Sequence, residues 1–187
     1  MGIGIRSTPP DVGLVRDLTL PHLDAAYNLA RWLMGSEQDA ADLVHTAFLR
    51  AARYIHTYAG GNAKAWWLSI VRNCCIATLA SRSRRDVSLD ALAEDEPAQW
   101  PQANAATVED TVHLSQCAAL IVHHLEALPR EFREVLVLRE IEDCSYREIA
   151  DILAVPVGTV MSRLARSRAL LKKLLIENSV DAGTHGL

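Results

Sequence analysis

Apolar residues recur every three or four positions along the first half of the chain, which is the spacing of one face of an α-helix. The first run predicts a helix that begins near Thr19–Pro21, because proline is tolerated in a first turn, and ends at Gly35. Ser36 then stands as a helix cap, with Asp39 three residues later in the acidic position of a capping box. We therefore expect a second helix that runs to about Tyr58.

A third helix is predicted from about Ala63 to Arg82, after the breaking sequence Gly60-Gly61-Asn62. Four of its residues fall on one face, namely Trp66, Ile70, Cys74 and Ala77. Trp67, Val71 and Thr78 lie beside that face. At this spacing the tryptophans are expected to be core residues, although stacking on nucleic-acid bases is the alternative. Three amphipathic helices with short connections favour a helical bundle.

The second half of the chain contains a different helical pattern. Periodicity is lost after Asp86 and resumes from Cys117 to Arg139, with a break at Pro129. Ser145-Tyr146-Arg147-Glu148 is a capping box that predicts a short helix to Leu153, followed by a tight turn. A basic helix is predicted from about Gly158 to Leu175. The composition, with few aromatic residues and abundant Ala, Leu, Arg and Glu, suits amphipathic helices rather than a sheet, so we expect an all-α fold.

These patterns divide the chain into two small helical domains joined by a flexible acidic linker. The predicted boundaries are an N-terminal tail at 1–18, a first domain at 19–85, a linker at 86–113, a second domain at 114–178 and a C-terminal tail at 179–187.

Charge adds an expectation about partners, because the net charge of −4 conceals blocks of opposite sign. Two segments contain several basic residues and no acidic one: the first has Lys64, Arg72, Arg82, Arg84 and Arg85, and the second has Arg163, Arg166, Arg168, Lys172 and Lys173. An acidic segment without Lys or Arg lies between them, from Asp86 to Asp110. Two sites for a polyanion are therefore expected, although each run alone could be a solvated helix face.

Several functional classes are disfavoured by the composition. No apolar stretch is long enough to span a bilayer and no leader pattern precedes the first helix, so we expect a cytoplasmic protein without membrane insertion. The scattered histidines and the lack of a phosphate loop argue against an enzyme, and no cofactor or metal is expected. The cysteines at 74, 75, 117 and 144 are expected to be reduced core thiols, a redox or zinc sensor being the alternative.

The segment from Ser145 to Leu174 has the form of a helix-turn-helix. Ile149, Ala150 and Leu153 would point inward from its first helix, and Val160 and Leu164 from its second. The second helix would then present a set of residues to the major groove and its phosphates: Gly158, Thr159, Ser162, Arg163 and Arg166. A plain helical hairpin is the alternative, but it has no need of a basic helix without acidic residues.

At this point the chain resembles the sigma-70 family of RNA polymerase subunits, and specifically its extracytoplasmic-function (group IV) branch. Three segments resemble family domain 4: Leu128–Arg139, Ser145–Ala150 and Val155–Arg166. Others resemble the second and third helices of family domain 2: Asp39–Val44 and Phe48–Ala51, then Ala65–Asn73. The resemblance covers about residues 21 to 175.

The resemblance implies a function for each domain. The first would dock on the clamp helices of the largest polymerase subunit through Asp42, Leu43, Leu49 and Arg50, although the leucines could equally be core. The same domain would bind the separated minus-ten promoter strand through Asn62, Lys64, Arg72 and Asn73. The second would read the minus-thirty-five element of promoter DNA through the helix-turn-helix. An anti-sigma factor that binds between the domains is also implied.

The chain departs from the family pattern at several positions. Ala154 stands where the turn usually has glycine, and Ala77 replaces an aspartate of the third helix. Ala41, His45 and Thr46 replace the Glu-Gln-Glu of the docking helix. A different hypothesis is an autonomous helix-turn-helix regulator whose N-terminal bundle dimerises or senses a ligand. Tight binding to a palindrome without polymerase would favour the regulator.

Overall fold

The computed structural model describes residues 12–88 and 121–184, and every regular element in those two ranges is helical. The α-helices are α1 (Val12–Thr19), α2 (Leu23–Met34), α3 (Glu37–Tyr54), α4 (Ala63–Ser88), α5 (helical residues 121–127), α6 (Arg130–Leu136), α7 (Tyr146–Leu153) and α8 (Val157–Thr184). Short 3₁₀ turns lie at Leu20–His22 and Ile55–Thr57, and a π-helical turn lies at Val137–Ile141. The expected all-α fold is confirmed.

The N-terminal domain is a bundle of α2, α3 and α4, with α1 packed against α3 and α4. Residues 12–18, which were expected to belong to a tail, form most of α1. Val15 is fully buried, and the Thr19 hydroxyl donates to the Val15 carbonyl at 2.8 Å. The segment is ordered because its apolar residues complete the bundle core, a tertiary effect that its short periodic pattern does not reveal.

The buried face of α4 is rotated relative to the sequence-based expectation. Trp67, Val71 and Cys75 are fully buried, whereas Trp66 and Ile70 are only partly buried and Ala77 is exposed. Neighbouring positions on a helix lie about 100° apart, so a stripe of consecutive apolar pairs fits either face. Contacts with α2 and α3 select the face that contains Trp67.

The C-terminal domain is built from α6, α7 and α8. The capping box is present as predicted: Glu148 N donates to Ser145 Oγ at 3.3 Å, and Ser145 N donates to Glu148 Oε2 at 2.6 Å. The inward positions of the helix-turn-helix are also as predicted, because Ile149, Val160 and Leu164 are buried. The two helices of the motif are therefore held by a shared apolar core.

The turn of the helix-turn-helix contains a strained residue. Ala154 ends α7 with φ 53° and ψ 47°, in the left-handed region, and its N–H donates to the carbonyls of Ala150 and Asp151. This conformation is the one in which the family pattern uses glycine. For a residue with a Cβ, this conformation costs roughly 1–2 kcal/mol of conformational energy.

A π-helical turn lies between α6 and the capping box. Glu142 N donates to the Val137 carbonyl five residues earlier at 3.0 Å. One such turn inside a helix accommodates an additional residue.

The two domains contact each other directly, α2 with α6 and α4 with α7. Most of the segment assigned to a linker, residues 89–113, lies outside the described residues, as do 114–120, 1–11 and 185–187. Helix α4 extends beyond the expected boundary to Ser88, and α8 continues to Thr184, past the position 179 at which a tail was expected. No helix in the described ranges is long and apolar enough to cross a membrane.

Three cysteines, Cys74, Cys75 and Cys144, lie in the core as free thiols. Arg50 Nη1 lies 3.7 Å from Cys74 Sγ. Burial raises the pKa of the Cys75 thiol to about 12 and that of Cys144 to about 11. Cys117 is among the residues that the structure does not describe. Cys75 and Cys144 therefore lack the lowered pKa of reactive cysteines.

We predict that iodoacetamide at neutral pH leaves Cys75 and Cys144 unmodified in the folded chain, because the thiolate is the reactive form and is scarce far below the pKa. Peptide mass spectrometry measures the modification, and the urea-unfolded chain is the positive control. Alkylation of the folded chain as fast as of the unfolded chain would instead favour a redox or metal-sensing role.

We predict that Ala154→Gly raises the free energy of unfolding by about 0.5–1 kcal/mol, because glycine removes the left-handed strain at a smaller entropic cost. Urea denaturation followed by circular dichroism measures the change. Ala165→Gly, at an exposed right-handed position of α8, is the matched control and should lower the stability by about 1 kcal/mol. A decrease for both variants would contradict the assignment of strain to Ala154.

Candidate nucleic-acid interface

The exposed side of α8 begins directly after the turn at Ala154–Pro156. Gly158, Ser162 and Arg166 are solvent-exposed and lie four residues apart, so they form one row along the helix. Thr159, in the same first turn, is half-buried. The free N–H groups of this helix end attract anions. The row thus combines an anion-attracting end, a hydroxyl and a guanidinium, as a groove-reading helix requires.

Arg166 is the cation of this row. Its side chain is exposed, and no hydrogen bond or ion pair with another described residue accompanies it. Arg168, two positions later, is instead paired with Glu140, with Nη2 2.6 Å from Oε1. Arg166 is therefore available to an external phosphate or base edge without the loss of an internal contact.

Arg163 does not share this exposed row, which differs from the sequence-based expectation. Its Nη2 lies 3.2 Å from Glu131 Oε2, its Nη1 lies 3.6 Å from Glu134 Oε1, and its side chain is only 23% exposed. The difference arises because α6 supplies two carboxylates from 29 and 32 positions earlier in the chain (163 − 134 = 29; 163 − 131 = 32). Such a distant pairing is invisible to helical periodicity.

Helix α8 carries a second exposed row, which was not expected from the sequence. Val157, Met161 and Ala165 lie four residues apart, and Met161 is 54% exposed. Apolar side chains at such a position can contact the methyl group of thymine in the major groove. The sequence contains the signal for this row, because Val157, Met161 and Ala165 form an apolar series at i, i+4 spacing. This series is separate from Val160 and Leu164, which form the core face of the same helix.

The other expected nucleic-acid surface lies at the start of α4. Asn62 caps this helix, because its Oδ1 accepts from Ala65 N at 2.9 Å. Gly60 and Gly61 precede it with φ values of 88° and 97°, which only glycine adopts readily, and Tyr58 donates from its hydroxyl to the Gly61 carbonyl at 2.8 Å. The Trp66 ring lies against Tyr58 with centroids 5.3 Å apart. The loop before α4 is thus a shaped, polar and aromatic surface.

Three of the four expected minus-ten residues contact the C-terminal domain. Asn62 Nδ2 donates to Glu148 Oε1, and Lys64 Nζ donates to the Glu142 carbonyl. Arg72 forms two parallel bonds with Glu134, Nε to Oε2 at 2.9 Å and Nη2 to Oε1 at 3.1 Å. The fourth, Asn73, is solvent-exposed.

The expected polymerase-docking residues lie on α3 but not all on one side. Asp42, Leu49 and Arg50 are exposed, and 51% of Leu49 is accessible to solvent. Leu43 is buried in the bundle core. Leu43 therefore supports the helix, whereas Leu49 is available for a partner.

Two family models match this chain. The model described as Sigma-70 region 2 matches residues 18–85, and the model described as Sigma-70, region 4 matches residues 119–171. The region 2 match falls on the N-terminal domain, and the region 4 match falls on the C-terminal domain.

Curated relatives and a solved structure agree with these matches. The chain is 36% identical over 168 residues to the ECF RNA polymerase sigma factor SigE of Mycolicibacterium smegmatis, an alignment that covers 88% of this chain and 63% of that protein. It is 32% identical to the ECF RNA polymerase sigma-E factor of Haemophilus influenzae, over 73% of this chain and 75% of that protein. The Bartonella quintana sigma factor RpoE, solved with the anti-sigma factor NepR, superposes with a TM-score of 0.70 at 26% identity, over 86% of this chain and 97% of that chain.

Proposed function

This chain belongs to the sigma-70 family of RNA polymerase subunits, in its extracytoplasmic-function branch, and from that membership we propose that it binds core polymerase, recognises promoter DNA and promotes transcription initiation. It does so without catalytic chemistry of its own and in the cytoplasm, where polymerase and promoter meet. The observation that carries the proposal is the presence in one chain of both family regions, the second with a solvent-exposed cationic row on its groove-reading helix.

The minus-thirty-five element is read by α8 in this proposal. Gly158 and Thr159 bind a phosphate at the helix end, while Ser162 and Arg166 reach base edges. Met161 adds an apolar contact that distinguishes thymine from cytosine by its methyl group. Because Arg163 is held by Glu131 and Glu134, it takes part only if these contacts are released.

The minus-ten element is bound by the start of α4 and the loop before it. Asn62, Lys64, Arg72 and Asn73 provide amides and cations for an unstacked strand, and the exposed part of Trp66 provides an aromatic surface. Flipping a base out of the stack costs a few kcal/mol, which contacts of this kind offset. Three of these side chains are paired internally, so the proposal requires the C-terminal domain to move away when DNA binds.

Core polymerase is bound through the exposed side of α3. Asp42, Leu49 and Arg50 contact the clamp helices of the largest subunit in this proposal, with Leu49 as the apolar anchor. An exposed leucine beside charged residues matches the usual composition of a protein interface, an apolar centre with a polar rim. Leu43 is omitted because it lies in the core.

An anti-sigma factor is the remaining proposed partner. The solved relative was crystallised with one, and 86% of this chain superposes on that sigma factor. The overlap supports a similar regulator for this chain, bound across the two domains.

We predict that the purified chain, added to core polymerase, produces new run-off transcripts from genomic DNA fragments, because it supplies promoter recognition that core polymerase lacks. Reactions without the chain are the control. The chain alone should show no tight binding to palindromic DNA in a mobility-shift assay. No new start sites, or tight palindrome binding without polymerase, would contradict the proposal and favour an autonomous regulator.

We predict that Arg166→Ala weakens binding of the holoenzyme to a promoter identified by run-off transcription. The loss should be about 5–150-fold, which corresponds to about 1–3 kcal/mol, if Arg166 contacts a base. If it contacts only phosphate, the slope of log affinity against log salt should instead fall by about one. Fluorescence anisotropy at several salt concentrations separates the two cases.

The matched control is Arg168→Ala, which removes the same charge from the same helix. Because Arg168 is paired with Glu140, its loss should change the affinity less than about twofold. Equal effects for the two variants would mean that α8 acts only through its total charge.

A further inference from the structure

The carboxylate of Glu134 contacts arginines of both domains. Glu134 on α6 has a side chain only 3% exposed, and it accepts both parallel bonds from Arg72 on α4. The same carboxylate lies 3.6 Å from Arg163 on α8. Glu134 is thus shared between an arginine of the proposed minus-ten surface and one of the groove-reading helix.

Two further acidic residues of the C-terminal domain hold the same surface. Glu142 accepts from Lys64 through its carbonyl, lies 3.9 Å from Lys64 Nζ through Oε2, and accepts from Asn28 Nδ2 at 3.0 Å through Oε1. Glu148 accepts from Asn62. We name Glu134, Glu142 and Glu148 the acidic edge. Its three members contact three of the four residues proposed to bind the separated DNA strand.

A carboxylate is a close substitute for a phosphate at such sites. The guanidinium group binds either oxyanion through two parallel N–H bonds, so Glu134 and a DNA phosphate would compete for one set of donors on Arg72. The contacts are reversible, because desolvation of both charges offsets much of the attraction in a buried ion pair.

The junction has an opening through which a phosphate can reach these residues. A cleft of about 410 Å³ is lined by Arg72, Arg130, Glu131, Glu134 and Arg163. Arg130 is exposed and has no ion pair with another described residue. An incoming phosphate therefore meets a free cation next to the paired ones.

Arg133 closes the junction on the side of α2. Its Nη1 donates to the Trp32 carbonyl at 3.0 Å, and its Nη2 donates to the Leu128 carbonyl at 3.1 Å. Burial lowers the pKa of this guanidinium. Trp32 lies in the last turn of α2, where unpaired carbonyls attract a cation.

We propose that the acidic edge is an autoinhibitory phosphate mimic, which occupies the minus-ten surface of the free chain and is displaced when polymerase separates the domains. This inference rests on the proposed function, since it concerns the regulation of the same DNA surfaces.

The closed contact can be detected without DNA. The chain contains three lysines, Lys64, Lys172 and Lys173, so a zero-length carbodiimide cross-link from Lys64 to the acidic edge is easily identified by peptide mass spectrometry. We expect this cross-link to Glu142 or Glu148 in the free full-length chain and a large loss of it when saturating core polymerase is added. Its absence from the free chain, or an unchanged yield with polymerase, would overturn the proposal.

The second test compares Glu134→Gln with the matched control Glu131→Gln. Both variants remove one negative charge from α6, but Glu131 is 53% exposed and is paired, among the residues that the structure describes, with Arg163 of its own domain. The probe is a labelled single-stranded oligonucleotide of mixed sequence at low salt. We expect Glu134→Gln to raise the affinity of the free full-length chain by about tenfold and to increase its radius of gyration in X-ray scattering, and Glu131→Gln to change the affinity by less than about twofold. Equal changes in the two variants would overturn the proposal.

Run-off transcription separates failure of this inference from failure of the proposed function. Glu134→Gln should retain helical circular dichroism and full transcription at saturating polymerase, because Glu134 contacts neither partner in the open state. If both variants support transcription and bind the oligonucleotide with equal affinity, the proposal about the acidic edge is overturned, but the proposed function is not. No transcription by the unmodified chain would overturn the proposed function.

Discussion

A buried carboxylate can be tolerated only while cations remain beside it, and this constraint governs the described arrangement of the chain. Glu134 belongs to α6, yet its bidentate partner is Arg72 of the other domain. Leaving such a group unpaired in a dry environment costs several kcal/mol. The domains must therefore either remain in contact at this point or separate far enough for water to reach all the charges. A partly open junction is unfavourable, so the charges favour two discrete states.

The same charges explain how a protein with a negative net charge can bind DNA. Two cations of the proposed minus-ten surface, Lys64 and Arg72, are matched, in the closed state, with carboxylates of the C-terminal domain. In the proposed opening of the junction, these carboxylates move away with the C-terminal domain and leave the two cations accessible. Arg166 of α8 is exposed even in the closed state. The binding capacity of the chain thus depends on its conformation more than on its composition.

Features set by neighbouring residues were predictable from the sequence, and features set by distant residues were not. The capping box at Ser145 and the turn at Ala154 depend on local backbone chemistry, and both occur as expected. The buried face of α4 was misassigned because Trp66 and Trp67 fit a helical stripe equally well, and only packing against other helices selects between them. The contacts of Arg163 are made with carboxylates of another helix, and helical periodicity does not predict contacts between helices. The helices that carry the candidate residues were therefore predicted more reliably than the contacts of those residues, and their roles stay predictions.

The π-helical turn at Val137–Ile141 has a consequence for the spacing of the charges on either side of it. A regular α-helical turn takes 3.6 residues and a π turn takes roughly one more, so the eight steps from Glu134 to Glu142 (142 − 134 = 8) make close to two complete rotations. Both carboxylates consequently face the same neighbour, whereas an uninterrupted α-helix would rotate the second by about 80°. Deletion of one residue from this stretch would therefore turn Glu142 away from the neighbour that Glu134 faces, so the length of the segment sets the alignment of the two carboxylates.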